Sequence, residues 1–470
     1  MDAFDKAPRV YDVVVVGAGL SGLQAAHSIC AAGFSVCVLE ATNRVGGKTL
    51  SVRSCEKGIN DLGAAWINDT NQSEMFKLHQ RYSLDGEIQY THGDDIIQST
   101  DGLICKIPYG QTPLSTGLVE DLVRILREKS APIDLHNPAS SPAAKEVDNE
   151  TFQDFCIRRT GCEDAVHIAD SISAALLGVD SIEVSALYML YYFKSGSGID
   201  NLLSDEKNGG QYLRTRQGTQ TISQKMAEEL DPETLFLGTP VTSIDQSRPD
   251  GICLVQTLDN ATFHCRRVIV SVPTTLYQSI SFSPPLPQTK NSLSHDTVMG
   301  YYSKMIFVFN EPWWRNAGFT GIFDSADGPV SFTRDTSVPR DDQWSITCFI
   351  VGGRGRTWSK LSKADRHTQV WEQFCRYFGE FVEKIPEPAN VLEMEWSKQP
   401  SFLGAPCPVM TPGTMTTVGT ELATPFGRVH FVGTETSIVW RGYMEGAIRS
   451  GQRGAAEVLA ALNGDLCSEA

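Results

Sequence analysis

A glycine-rich loop near the N-terminus is the first place where residue type and spacing indicate chemistry. Gly17, Gly19 and Gly22 fit the pattern GxGxxG and follow directly on the apolar residues 13–16. In a strand–loop–helix unit, the first glycine permits the tight turn, the second lets the backbone approach a pyrophosphate, and the third lets helix and strand pack closely. The backbone amides at the helix start, including that of Ser21, then face the phosphates. The loop therefore predicts a dinucleotide site.

An acidic residue at the end of the next strand narrows the choice of nucleotide. Glu40 follows the apolar residues 36–39. A carboxylate in this place accepts hydrogen bonds from the ribose hydroxyls, and its charge repels a 2′-phosphate. The pattern therefore disfavours NADP and leaves FAD and NAD open.

Two further glycine segments favour FAD. The first, residues 44–49, reads RVGGKT and places Gly46 and Gly47 where their backbone amides can reach phosphate or flavin. The second runs from Gly433, at the end of an apolar strand, to a helix that begins near Met444. The N-terminus of that helix can face a pyrophosphate or an electron-rich ring.

The elements that must position these segments alternate between strand and helix. Residues 129–150 are rich in Pro, Ser, Asn and Asp and indicate a surface excursion, and Pro284, Pro285 and Pro287 indicate a domain crossing. Apolar spacing predicts helices over 20–32, 165–177, 184–193 and 365–384, a β-meander over 235–263, and strands over 13–16, 36–39, 268–272, 393–398 and 429–433.

Bulk composition limits the partners. A chain of 470 residues is too long for a single ordinary hydrophobic core, so two domains or one large composite body are expected. The net charge of −16 makes nucleic acid or anionic lipid an unfavourable partner. The twelve cysteines form no CxxC pair or zinc pattern, and we interpret them as reduced core thiols. Residues 1–9 lack the apolar run of a secretory signal, and no stretch is apolar enough to span a membrane, so we expect a soluble, cytoplasmic protein without a metal site.

At this point the chain resembles the flavin-containing amine oxidases, most of all the membrane-free monoamine oxidases of fungi. The similarity runs from the first strand to Ala455 and includes the segments 61–63 (DLG), 183–187 (EVSAL), 208–211 (NGGQ) and 284–287 (PPLP). The resemblance implies an α/β fold with a discontinuous Rossmann-type FAD-binding domain and an α+β substrate domain that has a mixed sheet. We place the FAD-binding domain at 1–80, 208–285 and 390–470, and the substrate domain at 81–207 and 286–389.

The resemblance also assigns roles to individual residues. Lys304 takes the place of the lysine that holds a water near the flavin, Trp396 the place of a tryptophan set against the flavin, and Tyr443 the place of one wall of an aromatic cage for the amine. From the sequence alone Lys304 is unusual, because it interrupts a run that is apolar on both faces of a strand. The cofactor residues implied are Gly17, Gly19, Ser21, Gly22, Glu40, Arg44, Gly46, Gly47, Lys48, Val241, Trp396, Gly433, Thr434, Glu435, Tyr443 and Met444.

The chain departs from the family in one loop. Where the family has an aromatic residue as the second cage wall, this chain has Pro406, so we expect a wider pocket. Ala405 stands where the members with covalent flavin have a cysteine, which implies non-covalent FAD. Cys407 could replace that cysteine only if the loop register slips.

Two arginines after the NGGQ segment are candidates for binding a carboxylate on a large amine. Arg214 and Arg216 either point into the cavity or are solvated surface residues, and the second interpretation is favoured. The fumonisin amine oxidases, which deaminate long amino-polyols with acidic arms, illustrate the first interpretation.

The resemblance implies oxidative deamination of a primary amine by FAD and oxygen, with release of a carbonyl compound, ammonia and hydrogen peroxide. We expect a bulky or long-chain amine, and a homodimer is open. The alternatives are a polyamine or amino-acid oxidase of the same fold and, from a different class, a non-catalytic flavin-binding protein. Desaturases are disfavoured by the combination of Lys304, Trp396 and Tyr443.

Overall fold

The computed structural model describes residues 9–98, 102–111 and 117–469. Residues 1–8, on which the prediction about a secretory signal rests, lie outside the described residues, as does the side chain of Cys467. None of the helices in the described ranges has the length and apolarity needed to cross a bilayer.

Short strands occur along most of the described chain, except in the helical part between residues 109 and 212. They are β1 (Val10–Val16), β2 (Val36–Leu39), β3 (Ser51–Arg53), β4 (Ile59–Asp61), β5 (Trp66–Ile67), β6 (Gly86–Ile88), β7 (Asp94–Gln98), β8 (Ile104–Pro108), β9 (Leu213–Thr215), β10 (Leu235–Phe236), β11 (Val241–Asp245), β12 (Cys253–Thr257), β13 (Thr262–Val270), β14 (Ser281–Ser283), β15 (Thr297–Met299), β16 (Tyr302–Phe309), β17 (Phe319–Asp324), β18 (Phe332–Asp335), β19 (Trp344–Val351), β20 (Asn390–Glu395), β21 (Pro408–Met410) and β22 (Val429–Phe431).

The described helices are α1 (Leu20–Ala31), α2 (Ser73–Arg81), α3 (Leu118–Ser130), α4 (Ala144–Asn149), α5 (Phe152–Thr160), α6 (Ala165–Leu177), α7 (Ala186–Ser195), α8 (Ile199–Leu202), α9 (Gln220–Glu228), α10 (Gln288–Asp296), α11 (Trp313–Asn316), α12 (Gly352–Trp358), α13 (Lys363–Gly379), α14 (Thr414–Thr417) and α15 (Met444–Glu469). Six of these described helices, α3 to α8, follow one another between β8 and β9, and the longest of them, α15, lies at the C-terminus.

By packing, the chain forms two compact units, each assembled from separated segments. Unit 1 comprises residues 1–47, 222–297 and 418–470, and unit 2 comprises residues 48–221 and 298–417. These limits differ from the predicted domains. Residues 48–80 belong to unit 2, because β3 pairs with β4 and β5 pairs with β9 there. The three prolines do not mark the crossing, since α10 follows them and still lies in unit 1.

Unit 1 is built on one sheet that begins with parallel strands. The sheet order is β10-β2-β1-β13-β12-β11-β14, and β22 pairs with β13 beside this path. The strand β1 lies between β2 and β13 and is parallel to both, which explains why residues 13–16 are apolar on both faces. The predicted strand at 268–272 is the end of the longer β13.

Unit 2 is built on a seven-stranded sheet with helices packed against it. The order is β20-β16-β19-β18-β17-β7-β8, in which β17 and β7 are parallel and the other registers are antiparallel. The sheet is therefore mixed, as predicted. An aromatic cluster that includes Trp314, Phe323, Phe374 and Phe378 fills the space between this sheet and α13.

Most of the predicted elements are confirmed, with shifts at their ends. The helix α6 has the predicted bounds, α7 begins two residues late, and α13 ends five residues before the predicted limit. The described cysteines are free thiols, but Cys30 and Cys55 are exposed, so their interpretation as core residues is wrong. Residues 129–150 carry only short helical turns and are largely exposed, in line with a surface excursion.

Candidate active site

The glycine loop of unit 1 has a geometry that only glycine allows. Gly17 has a φ of 101°. A Cβ on Gly22 would lie 2.0 Å from the carbonyl oxygen of Gly17, and it would also meet Ser271 Oγ at 3.0 Å. Close packing of α1 against the end of β1 therefore requires glycine at the third position of the motif.

Glu40 fixes this loop to the end of β2. One carboxylate oxygen accepts a hydrogen bond from Ala18 N at 2.7 Å, and the other accepts bonds from Thr42 N at 2.9 Å and Thr42 Oγ1 at 2.7 Å. The side chain is 6% exposed. A carboxylate oxygen accepts two hydrogen bonds, so the carboxylate retains capacity for a ribose hydroxyl while it shapes the loop.

The second glycine segment packs directly on the first. Gly46 N donates to Ala18 O at 2.9 Å. A Cβ on Gly47 would lie 3.2 Å from Gly19 Cα. Arg44 Nη2 donates to Gly47 O at 2.6 Å, and burial lowers the pKa of this guanidinium. The predicted cofactor residues of the two segments thus form one continuous backbone surface.

The third segment also reaches the loop. Gly433, with a φ of 144°, donates its N–H to Ser450 Oγ at 3.1 Å. A Cβ on Gly451 of α15 would lie 2.4 Å from Ser21 O, so α15 approaches the first turn of α1 closely. Glu435 is buried and accepts a bond from Thr274 N at 3.3 Å. Val241, on β11 of the same sheet, is half-buried.

Tyr443 ends this third segment, immediately before α15. Thr434 Oγ1 donates to Tyr443 O at 2.7 Å, and the ring packs edge-on against Trp440 with centroids 4.8 Å apart. Trp440 is fully buried and was not identified from the sequence, although its place three residues before Tyr443 was visible. It supports the ring of Tyr443 and limits its motion.

Lys304 is the most unusual residue of unit 2. It lies in β16 with 5% of its surface exposed and donates to Asp61 O at 3.0 Å and Gly63 O at 2.6 Å. Its Nζ lies 5.3 Å from the ring centroid of Trp66 and 5.4 Å from that of Phe349. Burial lowers the pKa of Lys304 to about 8. The side chain is therefore enclosed and not a lysine reaching from a strand end to solvent.

Trp396 lies close to the same backbone segment. Its Nε1 donates to Leu62 O at 3.0 Å, and its ring packs edge-on against Phe402 at 5.2 Å. Lys304 and Trp396 thus bind successive carbonyls of residues 61–63, the DLG segment. Asp61 and Trp66, which surround Lys304 in unit 2, were not identified as site residues from the sequence.

The loop with Ala405 and Pro406 is held in a defined register. Ala405 N donates to Gly300 O at 2.9 Å, and Lys48 Nζ donates to Pro406 O at 3.1 Å. Cys407 is fully buried. A register slip that brought Cys407 to the position of Ala405 would break both hydrogen bonds.

Both arginines already have partners, and they differ in exposure, since 32% of the Arg216 side chain is accessible to solvent. Arg214 is 6% exposed and donates to Thr336 O and Ser337 O, so its interpretation as a surface residue is wrong. Arg216 is paired with the carboxylates of Asp341 and Asp85. A carboxylate on the substrate would have to compete with these partners.

The segments of unit 1 meet the requirements of a pyrophosphate site. The N-cap of α1 is Gly19, which offers no side-chain cap, so the first amides of the helix are left for another acceptor. Ser271 Oγ, next to Gly17 and Gly22, is buried and has no hydrogen-bond partner among the described residues. Together with the glycine cradle and Glu40, these groups define a dinucleotide-binding fold that fits FAD.

Comparison with known proteins specifies the family. The family model of flavin containing amine oxidoreductases matches residues 20–459. The probable flavin-containing monoamine oxidase A of Dictyostelium discoideum is 31% identical over 457 residues, which cover 96% of this chain and 97% of that protein. The flavin-containing amine oxidase B of Homo sapiens is 31% identical over 457 residues, covering 96% and 86%.

Solved structures show the same fold. A putrescine oxidase bound to putrescine matches with a TM-score of 0.89 and 26% identity, over 97% of this chain and all of that chain (100%). Cyclohexylamine oxidase from Brevibacterium oxydans IH-35A matches with a TM-score of 0.89 and 27% identity, over 97% and 100%. The chain therefore belongs to the flavin-containing amine oxidoreductase family, and it is an oxidoreductase that uses FAD.

The contacts of Glu40 predict that Glu40→Gln weakens FAD binding. An amide has one accepting oxygen, so its NH₂ group would face the N–H of either Ala18 or Thr42 and leave a buried donor unsatisfied. Such a loss costs roughly 1–3 kcal/mol, which corresponds to an increase of roughly 5-fold to 150-fold in the FAD dissociation constant. Flavin fluorescence titration of the apoprotein measures it. Glu233→Gln, whose side chain in unit 1 is 81% exposed, is the matched control, and equal affinities for both variants would contradict the assignment.

Proposed function

We propose that this chain catalyses the oxidative deamination of a primary amine with oxygen as the electron acceptor. The amine, oxygen and water give a carbonyl compound, ammonia and hydrogen peroxide, so atoms and electrons balance. The observation that carries the proposal is the enclosed ammonium of Lys304, in a chain of the flavin amine oxidase family. An interior ammonium is expensive to bury, and its retention favours a chemical role.

FAD, when bound, supplies the acceptor for the two electrons removed from the amine C–H bond. The chain binds, orients and encloses the reactants. Glu40 and the glycine segments of unit 1 hold the dinucleotide by backbone groups, and Tyr443 offers an aromatic face to the amine. Because Trp440 restrains that ring, Tyr443 presents its face at low entropic cost.

Lys304 holds a proton and a water for the same reaction. An ammonium has three N–H bonds, and two of them are used by Asp61 O and Gly63 O. The third is available to a water. With its pKa at about 8, Lys304 exchanges a proton at Nζ near neutral pH. Trp396 supports this arrangement through its bond to Leu62 O in the same segment.

We propose a bulky or long-chain amine as the substrate. Pro406 replaces an aromatic cage wall, and the hydrogen bond from Lys48 to its carbonyl fixes the loop in which it lies. A smaller side chain at a fixed position leaves more room beside the amine. Arg214 and Arg216 are already bound to groups of the protein itself, which disfavours a substrate with acidic arms.

A second candidate is a diamine or polyamine. Arg334 forms an ion pair with Asp205 at 3.3 Å, and the carboxylates of Asp95 and Asp324 also act on its guanidinium. Three carboxylates against one guanidinium leave an excess of negative charge in this part of unit 2, which favours a distal cation. Burial raises the pKa of Asp95 to about 6. One structural relative is a putrescine oxidase bound to putrescine.

Non-covalent FAD is the expected outcome of acid precipitation. Ala405 has no nucleophilic atom, and the hydrogen bonds of its loop keep Cys407 buried. After acid precipitation and centrifugation, the yellow colour should therefore stay in the supernatant, as judged by absorbance. A yellow pellet from the native chain, with a Cys407→Ser pellet that is colourless, would reverse the assignment.

The variant Lys304→Met should retain yellow FAD but slow the turnover of an amine by roughly 100-fold or more, because the proton-holding group is lost while the side-chain volume is kept. Peroxide release and bound-flavin absorbance measure the two properties. Lys77→Met, whose side chain is 68% exposed in unit 2, should match the native chain. Unchanged turnover with full FAD occupancy would remove Lys304 from the mechanism.

A matched series of amines distinguishes the substrate classes. The series comprises octylamine, the diamine of the same length with an amino group at both ends, and the ω-amino acid of the same length. Its members differ in the group at the distal end, which is neutral, positive or negative. We expect octylamine to have a higher kcat/KM than benzylamine, since the pocket is wider without the second aromatic wall. A preference for the diamine that Asp205→Asn removes would favour the second candidate. Failure of every amine to bleach the flavin anaerobically would refute the proposed function.

A further inference from the structure

Arg214 carries a buried charge that forms no ion pair with a carboxylate of the described residues. It lies on β9 with 6% of its surface exposed. Its Nη1 donates to Thr336 O at 2.9 Å and its Nη2 to Ser337 O at 2.6 Å, and both acceptors are neutral carbonyls. Its Nε has no hydrogen-bond partner among the described residues. A buried ion without a counter-ion is destabilising by several kcal/mol, so its presence calls for an explanation.

The carboxylate with the largest influence on Arg214 is itself occupied. Asp335 accepts a bond from Arg315 Nε at 2.6 Å and from Trp314 Nε1 at 2.8 Å, and it is fully buried. Burial lowers the pKa of Arg214, and the carboxylates of Asp335, Asp61 and Glu87, in that order, oppose that effect. Glu87 lies opposite Arg214 on β6 and is paired with Arg340. The positive charge of Arg214 therefore interacts electrostatically with other ionisable groups in the interior of unit 2.

Lys304 is one of those groups. In the antiparallel pairing of β5 and β9, Arg214 lies opposite Trp66. The ring of Trp66 lies 5.3 Å from Lys304 Nζ. Trp66 thus adjoins both cations, and the charge of Arg214 disfavours the ammonium form of Lys304.

Asp61 acts on Lys304 in the opposite sense. Its carbonyl accepts the Lys304 ammonium at 3.0 Å, and its carboxylate accepts bonds from Ser51 Oγ at 2.5 Å, Thr219 N at 3.1 Å and Thr219 Oγ1 at 3.2 Å. Burial raises the pKa of the Asp61 carboxyl, and the bond from Ser51 and the charge of Lys304 are the largest opposing effects. Three donors favour the carboxylate form, whose charge favours the ammonium.

Among the described residues, the two strands paired with β16 place no charged residue directly opposite Lys304. On the two strands paired with β16, the residues opposite Lys304 are Phe349 and Met394. Glu393 and Glu395 lie opposite the neighbouring residues of β16, and both are paired with Arg366. The balance at Lys304 is therefore between Asp61 and Arg214.

We propose that Arg214 and Asp61 are positioning residues that set the protonation state of Lys304 in opposite directions. The inference rests on the proposed function for the role of Lys304, but the balance of charges is a property of unit 2 alone. Arg214 keeps a neutral fraction of Lys304 present near neutral pH, and Asp61 prevents the lysine from losing its proton altogether. As a result, Lys304 can both donate and accept a proton near neutral pH.

The test is a direct titration of Lys304 in the FAD-loaded protein. In protein labelled with ¹³Cε-lysine, the signal absent from Lys304→Met identifies Lys304, and its chemical shift is followed against pH. Arg214→Gln should raise the midpoint by roughly one pH unit, because a repelling cation is removed. Asp61→Asn should lower it by a similar amount, because an attracting anion is removed. Shifts of opposite sign are an outcome that general loosening of the fold would not produce.

Two further variants serve as controls. Arg214→Lys keeps the charge and should return the midpoint to within about 0.3 pH unit of the native value, a window narrower than the shift that one adjacent charge produces. Arg124→Gln removes an arginine of α3 in unit 2 whose side chain is 53% exposed and paired with Asp121 and Glu128, and it should leave the midpoint unchanged. If Arg214→Gln does not fold, as judged by FAD retention, the Asp61→Asn variant alone tests the inference. A lower Lys304 midpoint in that variant supports the inference, and an unchanged or higher midpoint overturns it.

The outcomes separate this inference from the proposed function. A Lys304 midpoint that does not move in either variant, or that moves in the same direction in both, overturns the charge balance. The pH dependence of flavin reoxidation by oxygen is measured in parallel. Opposite shifts in the titration without any matching shift in that profile uphold the balance and refute the proposed role of Lys304.

Discussion

The close approach of backbone segments at glycine is the constraint on which the cofactor site depends. At Gly22, α1 touches the carbonyl of Gly17, and at Gly451, α15 touches the carbonyl of Ser21. In each place a Cβ would overlap a backbone atom that cannot move aside. These contacts bring together segments more than 400 residues apart in sequence. The dinucleotide surface is therefore a product of helix–helix and helix–strand packing, and few side chains contribute to it.

A second constraint is the cost of charge in the interior of unit 2. Lys304 and Arg214 are buried and Asp61 is half-buried, and their hydrogen bonds are made largely with neutral carbonyls and hydroxyls. Such an arrangement leaves the three charges to act on one another through a medium of low dielectric constant. The same burial that lowers the pKa of Lys304 thus makes it sensitive to its two charged neighbours.

In the proposed function, these two features have separate roles. The backbone cradle and Glu40 in unit 1 would hold the cofactor, and the enclosed lysine in unit 2 would exchange a proton. The same proposal assigns substrate preference to other residues, namely Pro406 and the carboxylates around Arg334, while Arg216 is paired with Asp85 and Asp341.

The sequence by itself determined the first strand–loop–helix unit, the family, the cofactor and the candidate residues Lys304, Trp396 and Tyr443. Those inferences depend on local spacing and on the resemblance of motifs, which need no knowledge of distant contacts. Only the tertiary structure decided what each charged side chain faces. Arg214 looks like a surface arginine in sequence, because its carbonyl partners at 336 and 337 lie more than 120 residues away. For the same reason Asp61 and Trp66 were not identified, since burial and charge balance arise only when separated strands pair.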